Sequence, residues 1–157
     1  MSLAQTILER ARAAGMTVTA AESCTGGMVA AAITDVAGSS AIFERGFVTY
    51  ANVAKIEMLG VSAATLDAHG AVSESVAREM AIGARLAAKA DVAVAVSGIA
   101  GPGGSEHKPE GRVCFALADD AGVHSETIEF GALGRMAVRG MARDHALTLI
   151  LRALPTV

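Results

Sequence analysis

Apolar positions along the chain recur with two periods, and these divide it into elements. Leu3, Ile7, Leu8 and Ala11 stand at helical spacing, and Gly15 follows where a C-terminal cap belongs, which predicts an opening helix. "MTVTAAES", rich in β-branched residues, predicts a short strand after it. Small apolar residues from Thr25 to Val36 predict a buried helix ending near Gly38. "FERGFVTY" (Phe43 to Tyr50) reads as a second strand, "ANVAKIEMLGV" as a short helix stopped at Gly60, and "SAATLDAHG" as a further turn or small helix. Val76, Met80, Ala84 and Ala87 then mark one face of a longer helix, with Ser73 placed to cap it. "DVAVAVSGIA" is an unbroken apolar run, the pattern of a strand covered on both faces. "GRVCFALAD" and "GVHSETIEF" flank a short turn at Asp119 to Gly122 and predict an antiparallel hairpin. A last helix runs from about Arg135 to Leu154, with Val138, Met141, Ala142, His145 and Leu149 on one face.

Helices and strands in this order predict an α/β fold: a three-layer α/β/α sandwich around a mixed sheet of about five strands. Residues 1–157 are expected to form one domain, since no repeat, low-complexity tract or linker divides them. The long irregular piece is "SGIAGPGGSEHKPEG", Ser97 to Gly111, and loops of that length inside compact domains tend to be functional or mobile.

Composition narrows the class. The chain is 52% hydrophobic and 18% charged, which points to an apolar interior or to apolar surface hidden against another copy, and so to a homodimer or higher homo-oligomer. The net charge of −3, scattered basic residues and absence of Trp argue against a nucleic-acid groove. Glu9, Arg10 and Arg12 come too early for a signal peptide, and no uncharged run is long enough to span a bilayer, so the expected location is the cytoplasm, without membrane contact. Cys24 and Cys114 lack metal-ligand spacing, and His69, His107, His124 and His145 stand alone, so neither a metal site nor another cofactor is expected. The seven methionines are expected in the core or at a subunit interface.

Chemistry gathers at "ESCTGG", where Ser23, Cys24 and Thr25 stand side by side at the end of the first predicted strand. If the first and central strands are parallel neighbours, this turn and the Ser97–Gly111 loop share the crevice beyond their carboxyl ends. Gly26 and Gly27 then open a helix whose N–H groups suit an anion or oxyanion, although close packing against the sheet is the plain alternative. A serine nucleophile needs a base, and a lysine serves if burial lowers its pKa. Lys55 lies near a predicted helix start, five residues after Tyr50, the chain's one tyrosine. Spacing alone favours an ordinary edge tyrosine and a surface lysine as the reading of that pair. Cys24 is the rival nucleophile, but neighbours on an extended chain point to opposite faces, which sets it away from a crevice that Ser23 faces. Glu22 could orient Lys55 or a water, or pair structurally.

Together "AESCTGG", "GSSAIFERGFVTYANVAK", "LGV", "HGAVSE", "MAIGA" and "SGIAGPGGSEHKPEGRV" resemble the C-terminal domain of the competence/damage-inducible protein CinA, from about Val18 to Leu151. That domain also occurs alone, as a nicotinamide-nucleotide amidase. The resemblance implies hydrolysis of the carboxamide of nicotinamide mononucleotide, a small-molecule nucleotide substrate, by Ser23 working with Tyr50 and Lys55. It further implies a substrate site built from Thr25, Gly26, Gly27, Ser39, Asn52, Gly98, Ile99, Ala100, Gly101, Gly103 and Gly104, with Lys108, Arg135 and Arg139 available to a phosphate. The chain departs from the family's "GDR…R" pattern at "LGRMAVR", where Gly134 replaces the aspartate. A silent nucleotide-binding module, or an amidase for another amide, stays open as an alternative. His69 is expected to be a packed structural residue.

Overall fold

The structure is a computed structural model describing residues 1–157. Its helices are α1 (Leu3–Ala14), α2 (Met28–Thr34), α3 (Asn52–Leu59), α4 (Ala63–His69), α5 (Glu74–Ala88) and α6 (Arg135–Ala153). Its strands are β1 (Val18–Glu22), β2 (Phe47–Val48), β3 (Val92–Gly98), β4 (Arg112–Asp119) and β5 (Gly122–Glu129). They form one five-stranded sheet in the order β2-β1-β3-β4-β5. β1 runs parallel to both β2 and β3, while β4 and β5 return antiparallel, so the mixed α/β architecture is as expected.

The sheet's faces differ because side chains alternate along each strand. Val92, Val94, Val96, Val113, Phe115 and Leu117 point to a core shared with α1, α2 and α6. Ala93, Ala95, Cys114, Ala116 and Ala118 point the other way, against Val76, Ala77, Met80, Ala81 and Ala84 of α5. Small side chains on both partners let α5 sit close to the sheet. Gly83 continues this economy of volume, since a Cβ there would run into the Leu59 carbonyl at the end of α3.

Local signals explain most boundaries. Ser2 and Gln5 form a capping box on α1, and Gly15 ends it in the left-handed region at φ 65°. The Ser73 hydroxyl accepts the Val76 N–H and starts α5. Four readings need correction. α2 starts at Met28, not Thr25, because residues 23–27 form a turn. β2 keeps only Phe47 and Val48 of the longer predicted strand, as it pairs on one side over two residues. The inner face of α5 continues to Ala88 instead of exposed Ala87. On α6 it is Val138, Ala142, Ala146, Leu147 and Ile150 that are buried, so the packed stripe excludes exposed Met141 and leaves His145 and Leu149 at its edge. Among the methionines Met80 is fully buried, whereas Met1, Met58, Met136 and Met141 are exposed. No helix is long and apolar enough to cross a membrane, and no group of three or more His, Cys, Asp or Glu side chains is placed to hold a metal ion.

Candidate active site

β1 and β3 end side by side, Glu22 against Val96, and the chain beyond each folds over the carboxyl edge of the sheet. A cavity of about 390 Å³ opens there. The turn after β1 brings Ser23 and Cys24 to it, the segment after β2 brings Tyr50, Asn52 and Lys55, the α4–α5 connection brings Ala71 and Val72, and α6 brings Arg135. The end of β3 and the loop after it, Ser97 to Glu106, form the remaining wall.

Lys55 is 1% exposed, the largest side chain so deeply buried. Its Nζ lies 3.0 Å from Ser23 Oγ, 2.7 Å from the Thr49 carbonyl and 3.3 Å from the Tyr50 carbonyl. No carboxylate pairs with it. Burial lowers its pKa from the ordinary lysine value, against weaker opposing effects of Cys24 and Glu106. The coordination suits both protonation states. An ammonium donates to all three oxygens, whereas a neutral amine donates to the two carbonyls and accepts the Ser23 proton. A proton can therefore pass between serine and lysine without either side chain moving.

Glu22 does not orient Lys55. Its carboxylate accepts the Thr25 hydroxyl at 2.6 Å and the N–H groups of Val29 and Ala30 at 2.9 and 3.0 Å. A buried carboxylate thus caps α2 from within the chain, so this helix's first turn is not open to an external anion as the sequence suggested. The turn itself has N–H groups to spare. That of Gly26 donates to the Ser23 carbonyl, but those of Cys24, Thr25 and Gly27 donate to no group of the chain.

Cys24 borders the cavity as well, contrary to the opposite-face expectation, because β1 ends at Glu22 and extended geometry stops with it. Its thiol is nevertheless buried in the core, and desolvation pushes its pKa up to about 11, so it stays protonated near neutrality. Such a thiol is a poor attacker.

Other predicted positions divide by location. Asn52, Gly98, Ile99, Ala100, Gly101, Gly103, Gly104 and Arg135 line the cavity with Ser23, Tyr50 and Lys55. The Tyr50 hydroxyl points outward and accepts from Arg135 Nη2 at 2.7 Å. Thr25, Gly26 and Gly27 do not line the cavity: Thr25 is buried and held by Glu22, whereas Gly26 is exposed beside Arg139. Arg139 donates to the Cys24 carbonyl at 3.0 Å and the Thr25 carbonyl at 3.3 Å, which fixes the nucleophile turn and occupies its guanidinium. Lys108 Nζ is likewise committed to the carbonyls of His69 and Val72, at 2.8 and 2.6 Å. Ser39 lies in the 3₁₀ turn Ser39–Ala41, whose following residue Ile42 bonds Val18 at the amino end of β1, so it sits at the opposite edge of the sheet. Ala71, Val72, Ser97, Pro102, Ser105 and Glu106 also border the cavity without having been singled out. The first two stand in "HGAVSE", beside His69, which is exposed and not packed as expected.

Comparison with known proteins shows the family and the fold. The family described as the CinA C-terminal domain matches residues 1–154. The chain belongs to the CinA C-terminal domain family. A relative from Escherichia coli (strain K12), named nicotinamide-nucleotide amidohydrolase PncC, is 57% identical over 148 residues, covering 94% of this chain and 90% of its own. A putative competence-damage inducible protein of Symbiobacterium thermophilum is 56% identical over 150 residues, but there the match covers 35% of a longer protein. The crystal structure of the competence/damage inducible protein CihA from Agrobacterium tumefaciens superposes with a TM-score of 0.92 at 46% identity, covering 96% of this chain and 92% of that one. A CinA superfamily structure from Escherichia coli gives a TM-score of 0.93 at 37% identity, covering 97% and 88%.

Proposed function

We propose that this member of the CinA family hydrolyses the carboxamide of nicotinamide mononucleotide to nicotinate mononucleotide and ammonia, with Ser23 as nucleophile and Lys55 as its base. The name of the E. coli relative supports the substrate. The observation that carries the chemistry is the buried Lys55 amine 3.0 Å from the Ser23 hydroxyl.

Neutral Lys55 takes the Ser23 proton as Oγ attacks the amide carbon, forming a C–O bond and moving the carbonyl electron pair onto oxygen. Within this turn the N–H of Cys24, which borders the cavity, is the donor available to this oxyanion; a donor of that kind contributes roughly 10²–10³ in rate. The lysine ammonium then protonates the departing nitrogen, the C–N bond breaks and ammonia leaves. In the second half a water loses its proton to Lys55 as it attacks the acyl-serine, and that proton returns to Ser23 Oγ when the C–O bond breaks. Direct contact between amine and serine supports transfer without the Tyr50 phenol. Tyr50 then serves as cavity wall and as a hold on Arg135, the cavity-lining guanidinium suited to the substrate phosphate.

Ammonia release from a panel of pyridine nucleotides tests the reading. Turnover of nicotinamide mononucleotide is expected, with Ser23→Ala and Lys55→Ala each lowering kcat by about 10³ or more while the fold survives. Binding without ammonia release from any nucleotide would instead identify a silent binding module, and release from a different amide would move the substrate.

A further inference from the structure

Glu110 carries no role in the chemistry above, yet its carboxylate joins the two parts of the cavity wall that come from distant sequence. The Ser97–Gly111 loop is closed at its base by the Ile99 N–H on the Arg112 carbonyl and the Gly111 N–H on the Ile99 carbonyl, at 2.9 and 2.8 Å. Above that base, one Glu110 oxygen accepts the Gly103 N–H at 2.7 Å, and the other accepts the Gly134 N–H at 3.1 Å. Gly103 is cavity wall, and Gly134 immediately precedes α6. The carboxylate packs against Gly101, where a Cβ would lie 2.5 Å from Glu110 Cδ and the φ of +91° itself favours glycine. The next residue, Arg135, donates to the Gly101 carbonyl and to the Tyr50 hydroxyl, each at 2.7 Å.

Gly134 has no side chain to cap α6. A carboxylate at a helix start satisfies an orphan N–H and suits the positive end of the dipole. Here that group arrives from the loop instead of the helix's own sequence, so it locks loop and helix together as well as capping. We infer that Glu110 is a positioning residue, holding the Gly101–Gly103 wall and Arg135 of α6 in the arrangement that receives the nucleotide phosphate. It acts on substrate capture through Arg135, while Ser23 and Lys55, placed by β1 and α3, keep their geometry. This rests on the activity proposed above.

Steady-state ammonia release from nicotinamide mononucleotide by Glu110→Ala, Glu110→Gln, Arg135→Ala and the Glu110→Ala/Arg135→Ala pair provides the test, with amide hydrogen exchange on the first and the wild type. Glu110→Ala is expected to raise KM roughly tenfold with kcat within about twofold of wild type. Glu110→Gln, which keeps one acceptor, falls between, and the double variant is no worse than Arg135→Ala alone. Exchange over residues 98–104 and the first turn of α6 quickens. Multiplying effects in the double variant, or a fall in kcat with KM unchanged, would overturn the assignment. A wild type that releases no ammonia defeats the proposed activity; exchange then decides on Glu110 alone, and unaltered rates at Gly103 and Gly134 refute it. Should Glu110→Ala fail to fold, Glu110→Gln carries both measurements.

Discussion

Lys55 sets the pH behaviour at the scale of single residues. Burial lowers its pKa, and the neutral amine is the active form in the proposed mechanism. Activity should therefore rise with pH through the Lys55 ionisation, on a limb lying below the ordinary lysine range. Stability follows with a definite sign. Between the lowered folded value and the unfolded one, the unfolded chain binds more protons, so stability climbs with pH across that window. Below it the folded chain must hold a charge in a dry site, and above it the penalty is gone. The urea midpoint of wild type is thus expected to gain on that of Lys55→Met as pH is raised from neutral toward about 10. A constant difference would mean that the amine is not desolvated. Constant costs of the substitution, such as the two carbonyls left without a donor, drop out of this comparison.

Two other side chains separate rival chemistries. With its thiol held at a pKa of about 11, Cys24 should be dispensable, and Cys24→Ala is expected to retain most of the turnover. Near-complete loss with an intact fold would make the thiol the attacker. Tyr50 donates no hydroxyl contact to Ser23 or Lys55 but holds Arg135, so Tyr50→Phe should act on KM more than on kcat. A kcat drop as large as that of Lys55→Ala would restore the phenol to the proton path.

Among the elements, α2 and α3 show where the sequence was legible and where it was not. Strand and helix existence followed from periodicity, and the parallel pairing of β1 and β3 that the crevice needed is present. What periodicity could not say was that Glu22, at the end of an apolar strand, reaches forward to cap α2. That requires seven- and eight-residue separations that only the turn's path supplies. For the same reason Arg139 and Lys108 read as free cations in the sequence, yet each is spent on carbonyls brought near by folding. Glu22→Ala should destabilise the chain by about 2–4 kcal/mol, since it strands buried donors, and a lowered urea midpoint would register it. Gly83 tests α3 from outside the site. A methyl there must displace the end of α3 against α5, and α3 carries Lys55, so Gly83→Ala should lower turnover in addition to stability. Loss of stability with kcat untouched would show that the Ser23–Lys55 contact tolerates movement of its helix.

The whole molecule is organised by the asymmetry of its sheet, and this accounts for the alanines of β3, β4 and the inner face of α5. Valine, phenylalanine and leucine face three helices on one side, where α6 crosses β3 and β4 and the space between elements is deep. Alanine faces one closely approaching helix on the other, and that helix braces α3 behind the lysine. Substitutions on β3 should therefore have opposite size rules at adjacent positions. Val94→Ala opens a cavity under α6 and is expected to cost about 1–3 kcal/mol. Ala95→Leu, one residue on and equally buried, adds volume where none is free and should cost about 1–3 kcal/mol or more by pushing α5 outward. The two differ in reach. Movement of α5 is transmitted to α3, so Ala95→Leu should depress kcat beyond what its unfolded fraction explains, whereas Val94→Ala should not. Equal kcat losses per folded molecule in the two variants would show that the site does not depend on close seating of α5.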